Sequence, residues 1–186
     1  HKDVGLLSQI FTPETLAPLT GYQAIGHTRY STMGASTARN AQPFLVETMH
    51  GPLALAHNGS LVNAAELRLQ LLQRGFALTA ASDTEVMALM LAAASGRTWE
   101  ERLERTMPSW KGAYSLVLLG VDCFLAARDP WGFRPLSIGR TPEGGWAAAS
   151  ETCALNTLGC TDITEVENGE IVVVRGKELT RHRTTT

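Results

Sequence analysis

Long hydrophobic runs are missing from this sequence. The longest apolar stretch, 86–94, is nine residues, against the roughly 18 that a membrane-crossing helix needs. A helical membrane span is therefore excluded, and 86–94 reads as a buried helix. No cleavable apolar segment follows the polar opening His1-Lys2-Asp3, so no secretory signal is read. Cysteine is scarce, with three in 186 residues, and an odd number cannot form a fully paired framework. Cys123, Cys153 and Cys160 read as small buried hydrophobes of a protein kept in a reducing cytoplasm. Neither the Cys153–Cys160 spacing nor the five histidines match a zinc pattern such as H-E-x-x-H, so no metal site is expected in this chain. There is no surplus of positive charge: 16 basic against 18 acidic side chains give a net charge of −2. That argues against a nucleic-acid partner. Neither G-x-G-x-x-G nor a Walker-type loop occurs, which removes the common phosphate-binding folds.

What is present is enough apolar material for a core, 44% of residues, in a length that suits one domain spanning 1–186. Short strands are expected at 23–26, 44–48 and 53–56, followed by three helices with start signals. Asn63 with Glu66, Ser82 with Glu85, and Thr98 with Glu101 each resemble a capping box. The second of these helices is apolar nearly all round and is expected between layers. Strands follow at 113–119, 123–127, 146–150, 170–175 and 178–182, with turns at Gly120-Val121-Asp122, Asn168-Gly169 and Gly176-Lys177. Strands, then helices, then strands indicate an α+β fold rather than a repeated βαβ winding.

Four stretches concentrate polar groups. In Gly26-His27-Thr28-Arg29-Tyr30-Ser31-Thr32, an arginine beside hydroxyls suits a two-pronged grip on a carboxylate, or a structural Arg–Asp pair. In His57-Asn58-Gly59-Ser60, expected between a strand and a helix, the Asn58 amide and the Gly59 N–H suit an oxyanion hole. The same dipeptide also suits a plain turn. Ser60 lacks the G-x-S-x-G elbow of a nucleophile. Asp83 opens a helix, where the macrodipole favours its charge and where it is equally placed to meet a ligand ammonium. The dense 127–136 loop, ARDPWGFRPL, reads as a site rim or a rigid connection.

The order GHTRYST, AQPF, HNGSLVN, SDTEV, GAYSLV, ARDPWGFRPL and SETCAL resembles the class-II glutamine amidotransferases. More narrowly, it resembles the glutaminase domain of the amidophosphoribosyltransferases, for which ARDPWGFRPL and SETCAL are the distinguishing segments. The resemblance implies a four-layer αββα sandwich of the N-terminal-nucleophile hydrolase type. It implies a cysteine nucleophile at the chain's own N-terminus, whose α-amino group, with a pKa near 7.7–8.0, serves as base. L-Glutamine is the implied substrate, with Arg29 and Thr32 at its α-carboxylate and Asp83 at its α-ammonium. Asn58 and Gly59 are implied as the oxyanion hole, and Tyr30 as part of a segment that closes the site. Ammonia would pass to a phosphoribosyltransferase domain that binds phosphoribosyl pyrophosphate with Mg2+ and makes 5-phosphoribosylamine for purine synthesis. The full enzyme would be a homo-oligomer, and some members carry an iron–sulfur cluster. Residue 1 is His, so the family's first strand and nucleophile have no counterpart here. The chain is therefore expected to be truncated at both ends and inactive alone. Two alternatives are another class-II member of the glucosamine-6-phosphate synthase type and a noncatalytic glutamine-binding domain.

Overall fold

Apolar residues that run almost unbroken along the strands are sorted between two cores by the two-residue period of extended chain. The computed structural model describes residues 1–28 and 37–184. Two short helices, α1 (Leu7–Ile10) and α2 (Pro13–Leu16), precede strands β1 (Phe44–Thr48) and β2 (Gly51–Leu61). Three helices follow: α3 (Ala64–Gln73), α4 (Asp83–Ala93) and α5 (Trp99–Thr106). The rest comprises β3 (Gly112–Leu119), β4 (Phe124–Arg128), β5 (Ser137–Arg140), β6 (Trp146–Ala149), α6 (Thr152–Thr157), β7 (Thr161–Glu165), β8 (Glu170–Arg175) and β9 (Glu178–Arg183).

A six-stranded sheet has the order β1-β2-β3-β4-β8-β9, and a three-stranded sheet the order β6-β5-β7. Every pairing is antiparallel. Along β4 and β8, Leu125, Ala127, Ile171 and Val173 enter a core shared with Leu67, Met87, Leu91 and Leu103 of the helices. The alternate residues Ala126, Val172 and Val174 enter a second core with Ile138 of β5 and with Leu136, which precedes that strand. Helix α6 packs on the outer side of the small sheet, against β5, β6 and β7. The layers are thus helices, large sheet, small sheet and helix, which is the expected αββα sandwich.

The sequence expectations for strands 44–48 and 170–175 match the structure to the residue. Four others change. Residues 23–26 form no strand. The short strand expected at 53–56 runs on to Leu61. Asn168-Gly169 links two different sheets rather than closing a hairpin, because β7 pairs with β5 while β8 pairs with β4. Helix α4 lies in the middle of the helical layer, flanked by α3 and α5 over β1 and β2, rather than between layers.

The capping boxes divide by where their side chains are needed. Ser82 Oγ accepts from Thr84 N at 3.2 Å, and Thr98 Oγ1 from Glu101 N at 3.4 Å. Asn63 does not cap its helix. Its amide instead bridges to Ser109 O and Lys111 N, both at 3.0 Å, tying the start of α3 to the segment that leads into β3. Glu85 turns away from Ser82 and takes Thr79 N, Thr79 Oγ1 and Ala80 N at 2.7–2.9 Å, ordering the approach to α4. At the other end of α4, the buried Arg102 donates to Leu91 O, Ala92 O and Gly96 O. A guanidinium there offsets the negative end of the helix. Cys123 and Cys160 are buried as expected, but Cys153 is exposed on α6. Its side chain falls on the helix face turned away from the small sheet.

The 127–136 loop is held from within. Asp129 is fully buried, and its carboxylate accepts from Tyr114 N at 3.2 Å, Trp131 N at 2.9 Å and Phe133 N at 3.3 Å. Arg128 donates to Arg134 O, Val166 O and Gly132 O and pairs with Glu165 at 2.7 Å. Asp129→Asn keeps one acceptor oxygen but turns the other into a donor facing N–H groups. It should cost about 1–3 kcal/mol, because buried donors lose their acceptor, and equilibrium urea unfolding measures this.

Candidate active site

In β2 the odd residues Leu53, Leu55, His57 and Leu61 are all buried, with the leucines in the core under the helices. The even residues therefore turn to the opposite face, toward the small sheet. Asn58 and Gly59 are thus strand residues, not the loop the sequence suggested. The even face carries Asn58 to the second sheet, where its Nδ2 donates to Ser150 Oγ at 3.2 Å.

The backbone of β2 alternates as well. An even-numbered amide just past its end, Val62 N, donates to Lys111 O on the β3 side at 2.8 Å. The amides of 57, 59 and 61 consequently point to the other edge, beyond the end of β1. Two of these three donors meet side chains there. His57 N donates to Gln42 Oε1 at 2.6 Å, and Leu61 N donates to Asp83 Oδ2 at 3.0 Å. The Gly59 N–H lies between them on the same edge. Gln42, joined to Pro43 by a cis peptide bond, also donates to His57 O at 3.1 Å.

Gly59 has φ +147°, and a Cβ added to it would lie 2.0 Å from Ala113 O and 2.9 Å from His57 Nε2. The residue type is therefore required by the close approach of β3 before any chemistry is considered.

Asp83 is the first residue of α4, and its side chain is 19% exposed. Its Oδ1 stands 3.6 Å from His57 Nδ1, an ion-pair separation rather than a hydrogen bond. The same ring nitrogen is 3.3 Å from Thr84 Oγ1. Burial by itself raises the Asp83 carboxyl, but His57 and the N–H groups of Leu61 and Thr84 outweigh it and hold the pKa below the ordinary value. The carboxylate is thus charged at neutral pH and has a partly open side. His57 Nε2 is buried without a hydrogen-bond partner among the described residues.

The structure therefore brings Asn58, Gly59 and Asp83 together around one end of β2. It adds His57, Gln42 and Ser150, which the sequence reading did not assign. For His57 and Gln42 the signal lay in their places within HNGS and AQPF. For Ser150 it lay in the segment SETCAL, which it opens. Arg29, Tyr30 and Thr32 lie outside the described residues.

No thiol of this chain is set up as a nucleophile. Cys123 is pushed up to about 11 by burial and by Asp122, so it is protonated at neutral pH. Cys160 is buried and Cys153 sits on the outer helix. A separate groove of about 490 Å³, lined in part by His50, Trp99, Arg102 and Arg175, lies at the opposite end of β2. Two of its cations are already engaged: Arg175 grips Glu100 through two contacts of 2.9 and 3.1 Å, and Arg102 caps α4.

Comparison with known proteins supplies the family. The model of the glutamine amidotransferase domain family matches residues 27–157, which include Asn58, Gly59, Asp83 and Ser150. The chain is 42% identical over 185 residues to the amidophosphoribosyltransferase of Methanocaldococcus jannaschii, covering 98% of this chain and 39% of that protein. It is 45% identical over 177 residues to that of Synechococcus elongatus, covering 92% of this chain and 36% of the relative. The chain thus spans well under half the length of these relatives. Among solved structures, the glutamine phosphoribosylpyrophosphate amidotransferase of B. subtilis, complexed with ADP and GMP, superposes with a TM-score of 0.78 at 37% identity. That match covers 86% of this chain and 34% of the other. The stacked sheets are accordingly those of the N-terminal-nucleophile arrangement. With the matched residues and the layers in agreement, the chain belongs to the glutamine amidotransferase domain family.

Proposed function

We propose that this chain is the glutaminase part of an amidophosphoribosyltransferase, releasing ammonia from L-glutamine for transfer to phosphoribosyl pyrophosphate. One observation carries the reading. On the free edge of β2, the Gly59 N–H and the Leu61 N–H that anchors Asp83 are two residues apart, about 6.6 Å along a strand. That separation suits an extended glutamine, with its α-ammonium at the Asp83 carboxylate and its side-chain carbonyl at Gly59 and Asn58. As a thiol adds to the carboxamide carbon, negative charge collects on the carbonyl oxygen. The Asn58 Nδ2–H and the Gly59 N–H are preorganised donors for it. Ammonia then leaves, and water hydrolyses the thioester to glutamate. The attacking thiol is none of Cys123, Cys153 and Cys160.

The same reading assigns Arg29 and Thr32 to the α-carboxylate and Tyr30 to closure over the substrate. It assigns Mg2+ and phosphoribosyl pyrophosphate to a phosphoribosyltransferase domain. Among the described residues no group of three His, Cys, Asp or Glu converges that would hold a metal ion. No helix among the described residues is long and apolar enough to cross a membrane. A cytoplasmic homo-oligomer completes the reading, in keeping with three unpaired thiols.

Asp83→Asn tests the substrate assignment. It keeps an acceptor for Leu61 N but removes the charge that would pair with the ammonium. Steady-state assay of the gene product carrying this sequence should show the glutamine KM raised about 10–100-fold, the loss of one charge-assisted contact. An unchanged KM rejects the role. Because the folded pKa of Asp83 is lowered, its contribution to stability is present above the ordinary carboxylate pKa and disappears as pH falls through the folded value. The variant should show a flatter acid limb. Ammonia transfer to phosphoribosyl pyrophosphate, rather than to a hexose phosphate, separates this reading from the glucosamine-synthase type.

A further inference from the structure

We propose that Ser150 is a positioning residue for catalysis, acting through Asn58; the proposal rests on the oxyanion reading of Asn58 given above. A carboxamide nitrogen carries two hydrogens. One of those on Asn58 Nδ2 goes to Ser150 Oγ at 3.2 Å. The other is left in the carboxamide plane, available to a developing oxyanion. Without the hydroxyl the carboxamide is free to rotate about its last bond, and a half-turn presents Oδ1, an acceptor, to the negative charge.

The hydroxyl is held in place by a chain of contacts between the two sheets. Ser115, the β3 residue paired with Asn58, donates from its buried hydroxyl to Pro135 O at 2.8 Å. This fixes the large sheet against the segment that enters β5. Ser137 of β5 then pairs with Ala149, the last residue of β6, and Ser150 follows it directly. Helix α6 begins two residues later and is pinned by the fully buried Leu155. The segment Ser150-Glu151-Thr152-Cys153 is thus delivered to the site by the small sheet. Its serine, rather than its cysteine, faces the chemistry: Cys153 lies on the exposed side of α6.

The test uses steady-state glutamine hydrolysis by the gene product carrying this sequence. Ser150→Ala should lower kcat about tenfold, a loss of orientation rather than of the donor itself. The glutamine KM should stay within about twofold, because the contact acts on the transition state and not on ground-state binding. Ser150→Thr, which keeps the hydroxyl, should restore kcat to within about threefold of the parent. In an Asn58→Ala background, Ser150→Ala should cost less than about twofold further, since the group it positions is gone. An unchanged kcat in Ser150→Ala overturns the proposal. So does an equal loss in both backgrounds, or a rise in KM that accounts for the effect. Wild-type turnover in Asn58→Ala alone would remove the oxyanion reading and this proposal together. An impaired Asn58→Ala beside an unimpaired Ser150→Ala would remove only the role of Ser150.

Discussion

Asn58→Ala should lower glutamine turnover by about 10²–10³, the usual cost of removing one oxyanion-hole donor. The substitution leaves the fold with little to repair. Asn58 is only partly buried, its backbone stays within the β2–β3 ladder, and among the described residues its side chain makes one hydrogen bond, to Ser150. Alanine at a strand position facing a second sheet is well tolerated, as Ala54 and Ala56 on the same face already show. The loss should therefore fall on kcat. Synthesis driven by added ammonia bypasses glutamine cleavage and reports whether the rest of the enzyme is intact. If glutamine-dependent and ammonia-dependent synthesis fell together, a folding defect would explain the result and the donor role would be rejected.

Gly59→Ala should act in the opposite manner, through the fold. The added methyl carbon would sit 2.0 Å from Ala113 O and 2.8 Å from Ala113 C, which are backbone atoms that cannot rotate away. The residue also holds φ +147°, a conformation that L side chains rarely adopt. The facing strand has the same constraint, since a Cβ on Gly112 would lie 2.3 Å from Ser60 O. The two glycines let β2 and β3 close upon one another at the site. Overpacking plus strain should cost about 2–5 kcal/mol. Hydrogen exchange of the β2 and β3 amides should show the loss of protection. Gly26→Ala is the control, because nothing among the described residues lies within 4 Å of its added Cβ, and its effect should stay within about 0.5 kcal/mol. Normal protection in Gly59→Ala would show that the strands tolerate a wider separation than the structure has.

Several features were legible in the residues because the forces behind them are local. The starts of α4 and α5 follow from a hydroxyl one residue ahead of the helix, and Ser82 and Thr98 do accept the expected amides. Strands β1 and β8 follow from short apolar runs bounded by turn residues. Asp83 was recognisable as a charge at a helix start. Strands β5 and β7 escaped the reading. Each holds a single large apolar residue, Ile138 and Ile163, so no apolar run marks it, and Ser137–Arg140 sits beside a proline-rich loop that masks it. Asn-Gly at 58–59 looked like a turn because that dipeptide usually is one. Here Gly59 serves a close strand approach instead.

The sequence by itself determined the fold class, the family resemblance and the identity of the polar groups, because helix caps, strand alternation and motif order are written in neighbouring residues. Only the tertiary structure decided how those groups combine. It turned Asn58 toward the small sheet and set Ser150 against it across 92 residues. It closed Asp83 onto Leu61 N and His57, and left Cys153 on the surface. Such contacts depend on strand pairing and sheet stacking. Their free energy is gained only when distant segments bury one another, so no local run of residues records it.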